Sequence, residues 1–391
     1  MKAIHNAKSV ATLYLGLLLP NLVSMAQTPG AANEKPPATR RAFTPPVISP
    51  EIQPDRKVTF RVRASQAKEV TLSGEWSGGN VAMSKDTEGV WTATAGPLEA
   101  GIYGYAFSLD GFRTADPGNP IVKPMRSPTT SILDIPGNPS LVHDFQPVAH
   151  GTVRIHEYQS KSLGIRRNLH VYTPPDYDRK ADARYPVLYL FHGSGDNDGT
   201  WTVLGRAHLI EDNLLAQGKA KPMIIVMPDG HATALRITGS VSADMISRNV
   251  RDFERDLVED LIPFVEANYR TKAGAANRAI AGLSMGGGQS LTIGLNHLDQ
   301  FAWVGGFSSY LPSPEKTVAG IFSDPSAANQ KLKLLWIACG KDDRLVEGAR
   351  QLSELLKKSE IRHEFHETEG NHSWPVWRRY LADFAPRLFS E

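Results

Sequence analysis

"IAGLSMGGGQS" (residues 280–290) sets four glycines, Gly282, Gly286, Gly287 and Gly288, closely around Ser284. Glycine weakens strands and helices through its backbone freedom. Such crowding therefore marks either a flexible loop or a turn too tight to carry side chains. The flanks decide. The apolar run "RAIAG" (278–282) reads as a buried strand, and "MGGGQSLTIGLNHL" (285–298) reads as a helix whose glycines permit close contact with that strand. Ser284 then sits at a sharp strand-to-helix corner, its hydroxyl exposed and its neighbours pressed against a sheet.

The surrounding sequence carries the same grammar. "RNLHVYTPPDY" (167–177), "YPVLYLFHGSG" (185–195), "PMIIVMPDG" (222–230), "FAWVGGFSS" (301–309) and "KLLWIACG" (333–340) are apolar without polar alternation, as in parallel strands buried on both faces. Between them lie helical stretches. In "DFERDLVEDLIPFVEANYR" (252–270), Phe253, Leu257, Leu261, Ile262, Phe264 and Val265 share one face. Strands alternating with helices predict an α/β layered fold over residues 150–391. In that context Gly282-Leu283-Ser284-Met285-Gly286 fits the G-x-S-x-G corner of an α/β-hydrolase sandwich with a mostly parallel central sheet.

A serine hydroxyl is a poor nucleophile at neutral pH and needs a histidine to take its proton and a carboxylate to orient that histidine. In this fold the chain order is Ser, then acid, then His. After Ser284 come "LLWIACGKDDRL" (334–345), a buried strand ending in Asp342 and Asp343, and "EFHETEGNHSWPVW" (364–377), with His372 in a loop. His363 and His366 lie in an alternating, strand-like stretch and read as structural or solvent-facing. The oxyanion needs two donors. The amide after the nucleophile belongs to Met285, and the loop "LFHGSGDNDGTW" (190–201) offers Ser194, with Gly195 the alternative. Trp201, Tyr310 and Trp374 are candidates to clasp an aromatic acid, or else pack the loops that surround the site. The pocket walls are expected from loops 231–249 and 310–328, whose variability hides acyl specificity.

Ahead of this body, "KVTFRVRA" (57–64), "EVTLSGEW" (69–76), "GVWTATAG" (89–96), "GIYGYAFSLDG" (101–111) and "TSILDI" (130–135) are strand-sized and bounded by Gly, Pro or Asp. They predict a small all-β sandwich over residues 51–140. Trp76, Trp91 and Tyr103 are either a flat platform for sugar rings or, as aromatics in alternating strands more often are, core. Residues 27–50, rich in Pro, Ala and Thr, read as a linker. Residues 1–26 read as an export signal: Lys2 and Lys8 precede the apolar Val10–Leu19, and Ser24-Met25-Ala26 sets cleavage before Gln27. Pro20 and Asn21 cut that run short of the roughly 20 residues a membrane span needs.

The chain has 391 residues, a formal net charge of +2 and no basic stripe, which leaves a nucleic-acid partner without support. With one cysteine, Cys339, no intramolecular disulfide can form, so stability rests on core burial. No metal-type Cys/His spacing occurs, and no cofactor is expected.

Residues 150–390 resemble the esterase-D-like α/β-hydrolases, most closely the feruloyl and acetyl-xylan esterases of the first carbohydrate esterase family. The likeness rests on "HVYTPPDY", "YLFHGSG", "VMPDG", "RAIAGLSMGGGQSLTIGL", "FAWVGGFSS", "CGKDDRL" and "GNHSWPVWRRYLADFAPRLF". It implies the triad Ser284, Asp343 and His372, the G-x-x-D-x-L spacing from Gly340 favouring Asp343 over Asp342. The stretch 51–140 resembles immunoglobulin-like carbohydrate-module domains of the glycogen-debranching type. Together they imply an exported serine esterase acting on feruloylated or acetylated plant polysaccharide. Acetyl-xylan and siderophore (enterochelin-type) esterases remain alternatives, as does a non-catalytic carbohydrate-binding protein on the same fold.

Overall fold

The apolar runs without alternation form the middle of one eight-stranded sheet. Its strands are β1 (Thr152–Ser160), β2 (Ile165–Thr173), β3 (Val187–Phe191), β4 (Ile224–Pro228), β5 (Arg278–Leu283), β6 (Trp303–Phe307), β7 (Leu334–Gly340) and β8 (Glu364–Thr368), in the spatial order β1-β2-β4-β3-β5-β6-β7-β8. This is a computed structural model, and it describes residues 45–232 and 242–390. The expected export signal (1–26) and most of the expected linker (27–50) lie outside the described residues. From β4 to β8 all neighbours are parallel, and β1 and β2 close one edge antiparallel. Every residue of β3, β4, β6 and β7 is buried. β1 escapes the sequence pattern because it is an edge strand with mostly exposed or half-buried residues.

Helices cover both faces. Alternate β3 residues point to opposite sides, as the period of two requires. Val187, Tyr189 and Phe191 join one apolar cluster, while Leu188 and Leu190 join the other. The second face carries α1 (Ala207–Ala216), through Ile210 and Leu214. The first face carries α2 (Ala243–Asp256), α3 (Met285–Asn296) and α4 (Val346–Lys358), through Phe253, Leu291 and Leu352. α5 (Trp374–Phe384) returns to the second face, through Tyr380, Leu381 and Phe384. The helix expected over 252–270 begins earlier, at Ala243, where the Ser242 hydroxyl accepts the Met245 amide (3.2 Å). It passes through a wider π turn at Leu257–Leu261 before Ile262–Asn268. Residues 243–249 of the expected pocket loop are thus helical.

Residues 51–135 form two antiparallel sheets around a separate core. One holds Glu51–Ile52, Val58–Arg63, Val90–Ala95 and Ser84–Lys85; the other holds Asn80–Ala82, Val70–Gly74, Gly101–Leu109 and Phe112–Thr114, with Ser131–Ile135 on the long strand. Trp76, Trp91 and Tyr103 lie in this core with Phe60, Tyr105 and Phe107. They are 7–8% exposed and present no sugar-binding face.

The two bodies share a junction. Ile102 and Ile132 pack into the apolar cluster of the larger sheet's second face. Buried Arg378 of α5 donates to the carbonyls of Leu204 (2.9 Å) and Ile102. Burial depresses its pKa to about 10.

Candidate active site

Ser284 sits between β5 and α3 with φ 52° and ψ −114°, a left-handed conformation costly for a residue with a side chain. The surroundings hold it. Its amide donates to Phe307 O (2.8 Å) and its carbonyl accepts the Gly288 amide (3.0 Å). A Cβ at Gly282 would stand 2.6 Å from the Gly286 backbone, and one at Gly286 would stand 2.5 Å from His192 O. Strand, corner and helix are packed too closely for side chains at these positions, so the glycines serve close approach rather than flexibility.

The loops after β7 and β8 bring His372 and Asp343 to this corner. They meet through the Asp342 amide, which donates to Gly370 O (3.1 Å). His372 Nε2 lies 3.0 Å from Ser284 Oγ, and Nδ1 lies 2.8 and 3.0 Å from the two Asp343 oxygens. Asp343 is 2% exposed, and its Oδ1 also accepts the Leu345 amide (2.9 Å). Burial pushes the Asp343 pKa up, but the hydrogen bonds from His372 and the Leu345 amide outweigh it and hold the group below the usual carboxylate value. The His372 and Trp377 rings meet edge to face with centroids 4.9 Å apart, which restrains the imidazole plane. Asp342 is exposed. His363 bonds Ser353 (2.9 Å) and His366 stacks on Trp336 (5.1 Å), both away from Ser284.

On the opposite side, Met285 opens α3, so its amide is one of the free donors at a helix N-terminus. The loop after β3 runs past Ser284, and a Cβ at Gly193 would stand 3.5 Å from Ser284 Cβ. Among the described residues the Ser194 amide has no acceptor, whereas Gly195 gives its amide to His231 Nε2 (3.2 Å). His192 reaches Gly193 O (2.8 Å), the Gly230 amide (2.8 Å) and Asp229 (3.2 Å). Burial drives His231 down to about 3, leaving a neutral ring able to accept. His231 and Asp229 escaped sequence reasoning; the only signal was the paired "HG" (192–193) and "DGH" (229–231) at the ends of adjacent strands.

A cavity of about 520 Å³ opens from Ser194, Ser284 and Met285. Met245, Ile246 and Val250 of α2, Gln289, Thr292 and Asn296 of α3, and Tyr310, Pro312 and Leu345 line it. Tyr310, one of the three candidate clasping aromatics, is therefore in place, 55% exposed at the rim. Trp201 and Trp374 are not: each is 1% exposed, their rings meet at 5.0 Å, and the Trp201 indole donates to Phe191 O (2.9 Å). They are core because α1 and α5 pack on the sheet's second face, where these indoles fill the space beneath the loop after β3.

The sequence profile of the Esterase family matches residues 160–388. An endo-1,4-beta-xylanase/feruloyl esterase of Xylanibacter ruminicola is 35% identical over 348 residues, covering 87% of this chain and 46% of that protein. The chain spans about half the length of the curated relatives it matches. Among solved structures, a CE1 ferulic acid esterase from Anaeromyces mucronatus in complex with ferulic acid is 26% identical with TM-score 0.56, covering 63% of this chain and 93% of that one. The enterobactin esterase of Shigella flexneri shares the fold over 84% of this chain and 92% of its own, with TM-score 0.59 and 17% identity.

Proposed function

Because the chain belongs to the Esterase family of carboxylic ester hydrolases, we propose that it releases hydroxycinnamic acids, foremost ferulic acid, from plant cell-wall arabinoxylan by a Ser-His-Asp acyl-enzyme route. The observation that carries this proposal is the continuous hydrogen-bond chain Ser284–His372–Asp343 at the mouth of a largely apolar cavity. The feruloyl esterase names of the Xylanibacter relative and the Anaeromyces structure support the substrate. An intact triad argues against a purely carbohydrate-binding protein.

In the acylation step Ser284 Oγ bonds to the ester carbonyl carbon while His372 Nε2 takes its proton. The carbonyl oxygen becomes an oxyanion, held by the Met285 and Ser194 amides. Collapse breaks the bond to the sugar oxygen, which leaves with the proton from His372. Water then gives a proton to His372 and attacks the acyl carbon; ferulic acid departs and Ser284 regains its proton. The Asp343 carboxylate keeps Nδ1 protonated and faces the imidazolium that forms in each half. No metal or organic cofactor enters these steps. The signal-like segment 1–26 supports an exported enzyme.

The test compares rates of the purified protein on methyl ferulate, an acetylated xylo-oligosaccharide and a cyclic catecholate siderophore ester, with Ser284→Ala as the blank. Methyl ferulate is expected to lead by more than about tenfold, ~1.4 kcal/mol of transition-state discrimination. Ser284→Ala is expected to lose at least about 10³ in kcat. A lead for either other ester overturns the substrate, and an active Ser284→Ala overturns the mechanism.

A further inference from the structure

The loop after β3 is held on its inner side by His231, and its outer side rests on the smaller domain. Residues 121–126 belong to that domain: Ile132 donates to Ile121 O (2.9 Å), and the Lys123 amide donates to Thr130 O (2.8 Å). From there the segment reaches across to the larger body. The Arg126 amide donates to Gly195 O (2.9 Å), and Met125 pairs with Asp196 in an antiparallel bridge. The Thr200 hydroxyl donates to Pro124 O (2.6 Å).

The tie with charge is Lys123 Nζ to Asp196 Oδ1 at 2.7 Å, with side chains only 14% and 5% exposed. Such a sheltered pair is sensitive to the loss of one partner, because the remaining charge is left uncompensated. Asp196 also donates its amide to Gly193 O (3.2 Å), closing the turn that contains Ser194. The peptide unit that carries Gly195 O is thus fixed from the smaller domain, one residue beyond Ser194, which lines the cavity.

We infer that Lys123 of the N-terminal β domain is a positioning residue for the oxyanion loop, acting through Asp196 to aim the Ser194 amide, so that this domain is a working part of the active site. The inference rests on the serine-esterase proposal above. Lys123 touches no substrate atom; its effect passes through the loop. Electrostatic stabilisation by fixed donors depends on their placement before the charge develops, so a loosened loop lowers kcat more than it changes KM.

The experiment measures kcat, KM and Tm on a short-chain chromogenic ester for the full chain, Lys123→Met, Lys123→Arg, Lys123→Met/Asp196→Asn and Ser284→Ala. Lys123→Met is expected to lower kcat about 10- to 100-fold with KM within about threefold, and Lys123→Arg to restore kcat to within about threefold. The double variant removes the stranded charge; its Tm is expected to recover while kcat stays low. It also carries the test if Lys123→Met fails to fold. A double variant with both Tm and kcat near wild type, or a kcat loss that Lys123→Arg does not relieve, reduces the pair to a structural contact and overturns the inference. An active Ser284→Ala instead removes the mechanism beneath it.

Discussion

The two sides of Ser284 use histidine to opposite ends. His372 has an Asp343 carboxylate behind it, a serine in front and a side chain 16% exposed, so it can gain and lose a proton within the hydrogen-bond chain. His231 on the other side is 3% exposed, held neutral by burial, and its Nε2 accepts a backbone amide. The same ring is a proton carrier where a buried carboxylate and an opening flank it, and a fixed acceptor where burial, helped by the neighbouring His192, dominates. Chemistry on one side needs rigidity on the other.

Breaking the carrier side has the larger effect. Asp343→Asn is expected to cut kcat about 10²- to 10⁴-fold, because the amide no longer selects the Nδ1-protonated tautomer or faces the imidazolium. Asp342→Asn, at an exposed position one residue away, is expected to stay within about twofold. Steady-state rates on a short-chain ester decide it, and equal losses in the two variants would undo the assignment of the acid.

This asymmetry also explains what could be read from the sequence. Ser284, Met285 and the glycines were legible because a strained corner is specified within a few residues. His372 and the Asp342/Asp343 doublet followed from chain order, and the family resemblance favoured Asp343; the fold supplies the physical reason, since Asp343 is buried against His372 while Asp342 is exposed. The outer brace is invisible locally: Lys123 and Asp196 lie on different domains, and no pattern in either segment announces the other. Trp201 and Trp374 misled because indoles beside catalytic motifs look alike in sequence whether they line a cavity or support its floor. β1 hid because an edge strand lacks the continuous apolar run of its neighbours.

The fixed side predicts an acid sensitivity. The His231 pKa falls from 6.5 to about 3 on folding. The unfolded chain therefore binds more protons between these values, and the contribution of neutral His231 is fully present above about 6.5 and is lost as pH falls toward 3. The slope is at most about 1.4 kcal/mol per pH unit. Urea unfolding at pH 7, 5 and 4 should show His231→Gln losing less stability on acidification than the wild type, because Gln can accept the Gly195 amide without titrating. Identical pH slopes would show that His231 does not resist protonation in the fold.

The smallest effect belongs to the cavity between the two sides. Tyr310 is the exposed aromatic at its rim, while Trp201 and Trp374 face each other in the core. An aromatic contact contributes about 0.5–1.5 kcal/mol beyond area burial, so Tyr310→Ala is expected to raise KM for methyl ferulate about two- to tenfold, with kcat within about twofold. An acetyl ester, with no ring to stack, should show no change. Trp201→Phe removes the donor to Phe191 O and leaves a space in a packed interior, so its cost should appear as a lower Tm for either ester rather than as a change in KM. If Trp201→Phe altered KM for methyl ferulate alone while Tyr310→Ala altered nothing, the acyl group would lie under the loop after β3 instead of along α2 and α3, and the rim and floor of the site would exchange roles.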